Sequence, residues 1–332
     1  MINGQISFFD GSQRFKIDKP IRLIELFGGY GSQSLALKYL GVPFEHHFLS
    51  EWAVPSIQAY KDLHFSNDNA DWSLLLTDNE VLDFLDGRIS NDYVTPMTRE
   101  QIQRKGVKWQ RQVYNNMKAS RNLGSITLVK GNDLRITETD KYCYIMTYSF
   151  PCQDLSSAGK GMGMGKDSGT RSGLLWEVGR LLKETLNLPQ VLLMENVPEV
   201  IGSGNIKHFA EWQAFLENLG YKNKWQCLNS KAYGIPQNRD RCFMVSVLGD
   251  YYYEMPKTMP LKILLGDVLE KNVDEGFYLS DKAVKGIENT KFSSAKLENR
   301  VERGGCIPTL MARDYKDPKL VVELPTMNKI DM

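Results

Sequence analysis

The sequence predicts an α/β fold with a mostly parallel central sheet, followed by a small, irregular β-rich domain. From residue 21 onward, strand-like and helix-like segments alternate, which is the pattern of a parallel sheet covered by helices on both faces. From residue 249 the helical periodicity fades into tyrosine, proline and glycine residues and short β-prone runs. We therefore predict a first domain over residues 1–248 and a second over residues 249–332.

The first predicted elements are a strand, a tight turn and a helix. The strand is Ile21–Leu26, the turn is Phe27–Gly31, and the helix is Ser32–Leu40, closed by Gly41. Glycines in such a turn let the backbone approach a ligand closely, and Glu51, about twenty residues on, can accept hydrogen bonds from ribose hydroxyls. This opening alone fits an NAD dehydrogenase about as well as a methyltransferase, and a plain structural turn is a simpler account than either.

Two later strands end in side chains that can carry out chemistry. The apolar run that begins at Tyr144 ends in a Ser-Phe-Pro turn that delivers Cys152, and the run Val191–Met194 ends at Glu195. A lone Pro-Cys pair is more often a buried, inert cysteine. A nucleophile and an acid held at two strand ends instead suit covalent chemistry on a ring that must be attacked and protonated together. Hydride transfer requires neither group, so this pair argues against the dehydrogenase.

A further strand, Phe243–Val247, follows the polar run Gln237–Arg241, so that polar groups again gather where a strand meets a loop. Between the second and third of these strands, apolar residues recur at helical spacing, and we interpret that stripe as core rather than as a binding surface. Its members are Ile206, Phe209, Trp212, Phe215, Leu216 and Leu219.

Composition indicates a soluble globular protein. The chain has 332 residues, of which 42% are hydrophobic and 24% charged, and its formal net charge is +1. Any nucleic-acid surface must therefore come from local clustering of charge. Five cysteines without Cys-x-x-Cys spacing and without a signal peptide predict a reducing cytoplasm and no metal site. No apolar run approaches the roughly 18 residues of a membrane span, so no membrane partner is expected.

One local cluster of positive charge lies within an insert over about residues 65–125. Within that cluster, Glu100 is the only acidic residue that opposes the basic ones. A solvated helix face and a phosphate-contacting insert account for it equally well, and the interleaved Trp109 and Tyr114 suit the second. The basic residues are Arg99, Arg104, Lys105, Lys108, Arg111, Lys118 and Arg121.

Several motifs, in order, resemble those of the cytosine-5 DNA methyltransferases. The two that carry the chemistry are Pro151-Cys152-Gln153 and Glu195-Asn196-Val197. These and the other motifs occur along the chain in the same order as in the family. The resemblance covers most of residues 21–248 and implies a Rossmann-like class I methyltransferase fold with S-adenosylmethionine as methyl donor. Further motifs that resemble the family are Glu25–Gly31, with Glu25 where an Asp is usual, Glu51-Trp52, Gly131–Leu134, Thr170–Trp176, Gln237–Arg241 and Thr309-Leu310.

The resemblance implies a role for individual residues. The implied catalytic residues are Cys152, Glu195, Arg239 and Arg241. The implied cofactor-binding residues are Phe27, Gly29, Gly31, Glu51, Trp52, Asp133, Leu134, Pro151 and Leu174. The implied DNA-binding residues are Gln153, Ser156, Gln237, Thr309 and Arg313, to which Tyr315 and Lys316 are added as plausible contacts. The residues after 249 correspond to the target-recognition region of the family.

The implied reaction adds the Cys152 thiolate to carbon 6 of a cytosine that has been rotated out of duplex DNA. Glu195 would relieve the negative charge by acting on ring nitrogen 3, and Arg239 or Arg241 would hold the carbonyl oxygen. Carbon 5 then takes the methyl group, and S-adenosylhomocysteine is the product. The small, glycine-rich segment 156–165 after Cys152 suits a loop that closes over DNA, and a plain flexible linker is its alternative.

The family's Arg-x-Leu-Thr-Pro and Gly-Asn segments are not found before Met332. We therefore expect a second subunit that carries them and covers the exposed part of the pocket. A truncated or diverged protein, or substitution by other residues, would also account for the difference. Two other functions stay open, namely a catalytically silent DNA-binding regulator on the same fold and an RNA cytosine-5 methyltransferase.

Overall fold

The computed structural model describes residues 13–155, 163–166, 168–278, 280, 282, 300–302, 304–310 and 320–322. These residues form two compact units. The first unit lies within Met1–Gln226 and Cys242–Met255, and the second lies within Cys227–Arg241 and Pro256–Met332.

The segment 227–241 groups with the second unit, whereas the sequence prediction placed it in the first domain. The reason is backbone pairing over a long distance in sequence. Gln237 pairs with Ile307, and the Met259 amide donates to the Ala232 carbonyl oxygen at 2.8 Å. Nothing in the local sequence of the segment signals these partners.

The elements are numbered in chain order. The strands are β1 Gln13–Arg14, β2 Ile21–Leu26, β3 Phe44–Ser50, β4 Cys143–Tyr148, β5 Val191–Asn196, β6 Tyr221–Asn229, β7 Gln237–Asn238, β8 Asp240–Leu248, β9 Tyr251–Tyr252, β10 Arg300–Glu302, β11 Ile307–Pro308 and β12 Leu320–Val322. The helices are α1 Ser32–Tyr39, α2 Val54–His64, α3 Asp78–Leu85, α4 Arg99–Arg104, α5 Val107–Ala119, α6 Leu175–Glu184, α7 Ile206–Asn218 and α8 Leu265–Val268. Among the described residues, no helix is long and apolar enough to cross a membrane.

The main sheet has six strands in the order β3-β2-β4-β5-β8-β6. The strands β3, β2, β4 and β5 run parallel, and β8 runs antiparallel to β5. The prediction of an α/β fold with a mostly parallel sheet is confirmed. The parallel strands end level with one another, because Leu26 pairs with both Ser50 and Tyr148, and Tyr148 pairs with Met194. The loops that follow these four strands therefore meet at one edge of the sheet.

The apolar sequences of the parallel strands follow from burial on both faces. In β4 five of the six residues are buried, and Tyr148 and Met146 are fully enclosed. Helix α7 covers one face with Phe209, Trp212 and Leu216, and the Trp212 indole donates to the Tyr148 hydroxyl at 3.1 Å. The predicted apolar stripe of this helix is core except at its first member, because Ile206 begins the helix and is 41% exposed.

The insert after α2 has a hydrophobic core of its own. Helices α3, α4 and α5 bury a cluster that includes Val81, Leu85, Ile102, Val113 and Met117. Helices α3 and α4 each begin with a complete capping box, in which a threonine and the residue three positions later satisfy each other's backbone amides. The insert is therefore a folded helical layer.

Three arginines of the predicted basic cluster are engaged within the fold. Arg99 lies 2.6 Å from the Asp83 carboxylate, and Arg111 lies 2.6 Å from the carboxylate of Asp78. Arg121 lies 3.3 Å from the carboxylate of Glu45. The sequence prediction set only Glu100 against these charges, because the pairing acids stand outside the basic cluster in sequence.

The described part of the second unit contains short strand pairs and turns. Strand β7 pairs in parallel with β11, and β10 pairs in parallel with β12. The prediction of a small, irregular β-rich region is consistent with these pairs.

Candidate active site

The turn between β2 and α1 has several residues in the left-handed backbone conformation. Phe27, Gly29 and Gly31 have φ angles of 55°, 56° and 82°, in the left-handed region that favours glycine. A Cβ at Gly28 would lie 2.3 Å from the Leu49 side chain, whereas a Cβ at Gly29 would meet nothing within 4 Å. The glycines thus serve close packing below the turn and leave open space in front of Gly29.

Glu51 links the end of β3 to the glycine turn. Its carboxylate accepts hydrogen bonds from the Gly29 amide at 2.9 Å and from the Ala53 amide at 2.7 Å. The carboxylate is buried, and this burial raises the pKa of Glu51 above its ordinary value. Trp52 follows it and is half-buried.

The backbone of Glu51 is held by a residue that the sequence analysis missed. The Asn122 side chain accepts from the Glu51 amide at 3.1 Å and donates to the Glu51 carbonyl oxygen at 2.9 Å. Asn122 is buried and stands 71 residues along the chain from its partner. No local motif in the sequence indicates this contact.

The predicted adenine-binding element is a 3-10 turn, Gly131–Leu134. Asp133 is exposed, and one of its carboxylate oxygens accepts from the Lys130 amide at 2.9 Å, which caps the turn. Leu134 is fully buried in the main core. The carboxylate of Asp133 is therefore accessible to a ligand, while the Leu134 side chain belongs to the interior.

Cys152 lies four residues beyond the end of β4 and is half-buried. The preceding backbone is fixed by two side chains. The Asn196 amide donates to the Phe150 carbonyl oxygen at 3.0 Å, and the Ser172 hydroxyl donates to the Pro151 carbonyl oxygen at 2.8 Å. These contacts hold the turn that presents the thiol.

Glu195 lies on the strand next to the one that leads to Cys152. Strand β5 pairs with β4 up to Met194, and Glu195 is the next residue. The structure thus brings Cys152 and Glu195 to the same edge of the sheet from adjacent parallel strands. The neighbouring Asn196 connects the two elements directly through its bond to Phe150.

A buried carboxylate, Asp154, ties the cysteine turn to the segment before α6. It accepts from the Arg171 amide at 2.8 Å and from the Ser172 amide at 3.3 Å. At the next residue along the chain, the Leu155 carbonyl oxygen accepts a hydrogen bond from the Asn205 side chain at 3.2 Å. The sequence analysis assigned the segment Thr170–Trp176 a role through Leu174 and did not predict its hydrogen bonds to Asp154. The motif nevertheless identified the segment that makes them.

The remaining predicted residues of the first unit occupy varied positions. Pro151 and Leu174 are half-buried, and Leu174 packs against the main core at the start of α6. Gln153 is exposed beside Cys152. Ser156 and the rest of residues 156–162 of the predicted loop 156–165 lie outside the described residues, as do Arg313, Tyr315 and Lys316.

Two predicted motifs come together within the second unit. Strand β11 pairs with β7, and the hydroxyl of Thr309, which follows β11, donates to the Asn238 carbonyl oxygen at 2.8 Å. Gln237, in β7, is half-buried. The Arg241 guanidinium donates to the Asp240 carbonyl oxygen at 2.7 Å, and Arg239 contributes its carbonyl oxygen to the Ser230 amide at 3.0 Å.

Comparison with known proteins decides the family. The family model described as C-5 cytosine-specific DNA methylase matches residues 99–324. The chain belongs to this family. Its relatives in the family include the type II methyltransferase M2.ScrFI of Lactococcus lactis subsp. cremoris, which is 36% identical over 267 residues, covering 80% of this chain and 71% of that protein. The orphan methyltransferase M.SssI of Spiroplasma monobiae is 37% identical over 261 residues, covering 77% of this chain and 67% of that protein.

Solved structures show the same fold at lower identity. The Dnmt2 methyltransferase of S. pombe has a TM-score of 0.56 at 17% identity, over 91% of this chain and 74% of that one. The Entamoeba histolytica methyltransferase EhMeth has a TM-score of 0.55 at 16% identity, over 91% of this chain and 73% of that one. The predicted family and its Rossmann-like class I fold are confirmed. Within the described residues, no group of three or more His, Cys, Asp or Glu side chains is placed to hold a metal ion.

Proposed function

We propose that this member of the C-5 cytosine-specific DNA methylase family transfers a methyl group from S-adenosylmethionine to carbon 5 of cytosine in duplex DNA. The observation that carries the proposal is the arrangement at one edge of the sheet. Cys152 follows β4, Glu195 lies at the end of the adjacent strand β5, and the glycine turn follows β2 on the other side of β4. A nucleophile, an acid and a cofactor loop on three neighbouring parallel strands are the groups that this reaction requires.

Cys152 supplies the nucleophile. Carbon 5 of cytosine is a poor nucleophile by itself, so a bond from the Cys152 Sγ to carbon 6 is needed to move electron density onto carbon 5. The contacts of Asn196 and Ser172 with the backbone before the cysteine keep the thiol in place for this attack. The base must leave the duplex stack first, at a cost of about a few kcal/mol.

Glu195 manages the charge that builds up on the ring. Its carboxyl group would hydrogen-bond to ring nitrogen 3, or protonate it, as the Sγ to carbon 6 bond forms. The cofactor, when bound, supplies an electrophilic methyl group to carbon 5. Transfer of the carbon 5 proton to solvent and departure of the Cys152 thiolate then restore the aromatic ring, and any proton that Glu195 gave to nitrogen 3 returns to Glu195. The roles of Arg239 and Arg241 remain predictions from the family resemblance.

The residues around the glycine turn fit S-adenosylmethionine. The space in front of Gly29 is open, which lets a ligand approach the backbone of the turn. The Glu51 carboxylate accepts backbone hydrogen bonds from Gly29 and Ala53, and with four lone pairs on its two oxygens it can also accept from a ribose hydroxyl. The exposed carboxylate of Asp133 can accept from an adenine amino group.

We expect Glu51→Ala to weaken binding of S-adenosylhomocysteine by about 100-fold, because it removes a ribose partner and the acceptor of the Gly29 amide together. Asp133→Ala should weaken binding by about tenfold, since the adenine amino group would lose the carboxylate that accepts its hydrogen bond. Calorimetric titration measures both affinities. Glu138→Ala, a change of an exposed carboxylate in the same unit, is the matched control for Asp133. Unchanged affinity in both acid variants would show that the cofactor binds elsewhere.

We expect Ser172→Ala to lower kcat by about tenfold with little change in cofactor affinity, because the Pro151 carbonyl oxygen loses the hydroxyl that fixes it. Ser246→Ala is the control. Its hydroxyl is also buried but has no hydrogen-bond partner among the described residues. Steady-state rates of methyl transfer compare the two variants, and equal rates would contradict the positioning role of Ser172.

The proposed function is tested by incubating the chain with S-adenosylmethionine and, in separate reactions, unmethylated duplex DNA or unmodified RNA, digesting the nucleic acid and identifying nucleosides by mass spectrometry. We expect 5-methyldeoxycytidine. DNA binding without any methylated base would indicate the silent regulator, and 5-methylcytidine formed in RNA alone would indicate the RNA enzyme. The second subunit stays a prediction, so the assay is run with the chain alone and with any chain that copurifies with it.

A further inference from the structure

Two side chains of α2 form the back of the glycine turn. Tyr60 and His64 are four residues apart and therefore lie on the same face of the helix. A Cβ at Gly31 would lie 2.3 Å from the His64 Nε2 and 2.6 Å from the Tyr60 ring. The two rings are themselves 4.4 Å apart between centroids. The turn thus rests directly on this pair, and no family motif found in the sequence includes either residue.

His64 joins the turn to α1. Its Nε2 lies 2.9 Å from the Tyr30 carbonyl oxygen, and because a carbonyl oxygen only accepts, the Nε2 carries the hydrogen. Its Nδ1 is then the acceptor for the Lys38 ammonium at 3.1 Å. Burial, with a smaller contribution from the Lys38 charge, lowers the pKa of His64 and favours this neutral form.

Tyr60 joins the two ends of the turn through Glu25. The Tyr60 hydroxyl donates to the Glu25 carboxylate at 2.5 Å. The same carboxylate accepts from the Ser34 hydroxyl at 2.6 Å and from the Ser34 amide at 3.3 Å. Glu25 stands in β2 just before the turn, and Ser34 stands in the first turn of α1 just after it. The Tyr60 hydroxyl therefore donates to the same carboxylate that links the two ends of the glycine turn, with Glu25 before it and Ser34 after it.

The hydroxyl of Tyr60 also faces a histidine. His46 Nδ1 lies 3.1 Å from it, and His46 Nε2 lies 2.7 Å from the Ser120 carbonyl oxygen. Burial lowers the pKa of His46 to about 4, and burial raises the pKa of Glu25 and of Tyr60. His46 and Tyr60 are therefore uncharged at neutral pH. The hydrogen bonds of this buried group run from Tyr60 and Ser34 to Glu25 and from His46 to Ser120, and the unprotonated His46 Nδ1 only contacts the Tyr60 hydroxyl, whose one hydrogen goes to Glu25.

Tyr60 and His64 also line a cavity of about 350 Å³. Its remaining lining includes Lys38, Phe44 and Phe65. Tyr60 is nevertheless fully buried. Hydrogen bonds to Glu25 and to the Tyr30 carbonyl oxygen keep the two rings against the turn.

We propose that Tyr60 and His64 are positioning residues for the cofactor, which hold the glycine turn in its binding conformation through Glu25 and the Tyr30 carbonyl oxygen. The inference rests on the proposed function, in which this turn receives S-adenosylmethionine. Neither side chain needs to touch the cofactor, since both act through the backbone of the turn.

The first test compares Tyr60→Phe with Tyr221→Phe. Both changes remove one buried hydroxyl, and Tyr221 donates its hydroxyl to the Pro189 carbonyl oxygen at 2.7 Å, away from the turn. We expect Tyr60→Phe to raise the Kd for S-adenosylhomocysteine, measured by calorimetry, by about tenfold. The KM for S-adenosylmethionine should rise similarly, with kcat within about threefold of the wild type. Tyr221→Phe should leave both constants unchanged.

The second test compares two substitutions of His64, one of which should restore the lost hydrogen bond. It keeps the proposal testable if Tyr60→Phe does not fold. Glutamine places an amide N–H near the position of the histidine Nε2, so His64→Gln should restore the bond to the Tyr30 carbonyl oxygen that His64→Ala removes. We expect about tenfold weaker binding of S-adenosylhomocysteine in His64→Ala and near wild-type binding in His64→Gln. Thermal unfolding is measured for every variant.

The outcomes separate the two proposals. Equal affinity in the wild type, Tyr60→Phe and His64→Ala would overturn the positioning role and leave the proposed function intact. An equal loss of affinity in Tyr60→Phe and Tyr221→Phe, matched by equal losses in unfolding temperature, would also overturn it. A wild type that does not bind S-adenosylhomocysteine would overturn both proposals.

Discussion

Replacing Cys152 with alanine should lower the rate of cytosine methylation by more than about 1,000-fold, because the reaction would lose its covalent nucleophile. Carbon 5 would then have to attack the methyl group without the electron density that the Sγ to carbon 6 bond provides. The affinity for S-adenosylhomocysteine should stay near that of the wild type. The thiol follows β4, whereas the glycine turn and Glu51 follow β2 and β3. Initial rates and calorimetric titration measure the two quantities.

Cys227→Ala is the matched control for this prediction. Cys227 is exposed and belongs to the second compact unit, and no predicted role falls on it. Its replacement should leave the methylation rate within about twofold of the wild type. A Cys152→Ala protein with more than about a tenth of the wild-type rate would remove Cys152 from the mechanism.

Replacing Glu195 with glutamine should lower kcat by about 100- to 1,000-fold, because a neutral amide cannot deliver a proton to ring nitrogen 3. Glutamine keeps the size of the side chain, so β5 and its pairing with β4 should persist. The change is expected in the chemical step, and single-turnover kinetics with saturating DNA and cofactor measure that step directly.

Glu199→Gln serves as the control for Glu195. Glu199 is an exposed carboxylate in the 3-10 turn Pro198–Ile201, directly after β5. It should retain the wild-type single-turnover rate. Equal rates for Glu195→Gln and the wild type would exclude Glu195 as the acid and would require another donor to nitrogen 3.

The elements that carry the proposed site could be predicted because their signals are local. The run Ile21–Leu26 is apolar and β-prone, the glycines follow it at once, and the observed strand and turn have the predicted bounds. The helix predicted over Ser32–Leu40 ends one residue earlier, at Tyr39, with Gly41 in the left-handed conformation. Period and turn chemistry act within a few residues and are therefore visible in the chain itself.

The contacts that hold the site could not be predicted, because they join distant parts of the chain. Asn122 grips the backbone of Glu51 from 71 residues away, and nothing in its own neighbourhood distinguishes it from a surface asparagine. Ser172 acts on Pro151 across 21 residues. Such contacts depend on which strands become neighbours, and that order is a property of the whole sheet.

The ion pairs of the basic cluster could not be predicted for the same reason. A cluster of basic residues looks uncompensated when only its own segment is considered. In the fold, Arg111 reaches Asp78 on α3, and Arg121 reaches Glu45 on β3. Asp78 and Glu45 precede their respective arginines by 33 and 76 residues. Positive charge in a sequence segment therefore indicates a nucleic-acid surface only after the tertiary partners are known.

The most direct test of the proposed mechanism is covalent trapping on DNA that contains 5-fluorocytosine. Fluorine replaces the carbon 5 hydrogen that must leave as a proton, and it cannot itself leave as a cation, so the Sγ to carbon 6 bond should persist after methyl transfer. We expect an adduct that survives denaturation, and peptide mapping by mass spectrometry should place it on Cys152 and show the methylated, fluorinated base. Absence of the adduct with intact DNA and S-adenosylmethionine, or an adduct on a different cysteine, would contradict the assignment of Cys152 as the nucleophile.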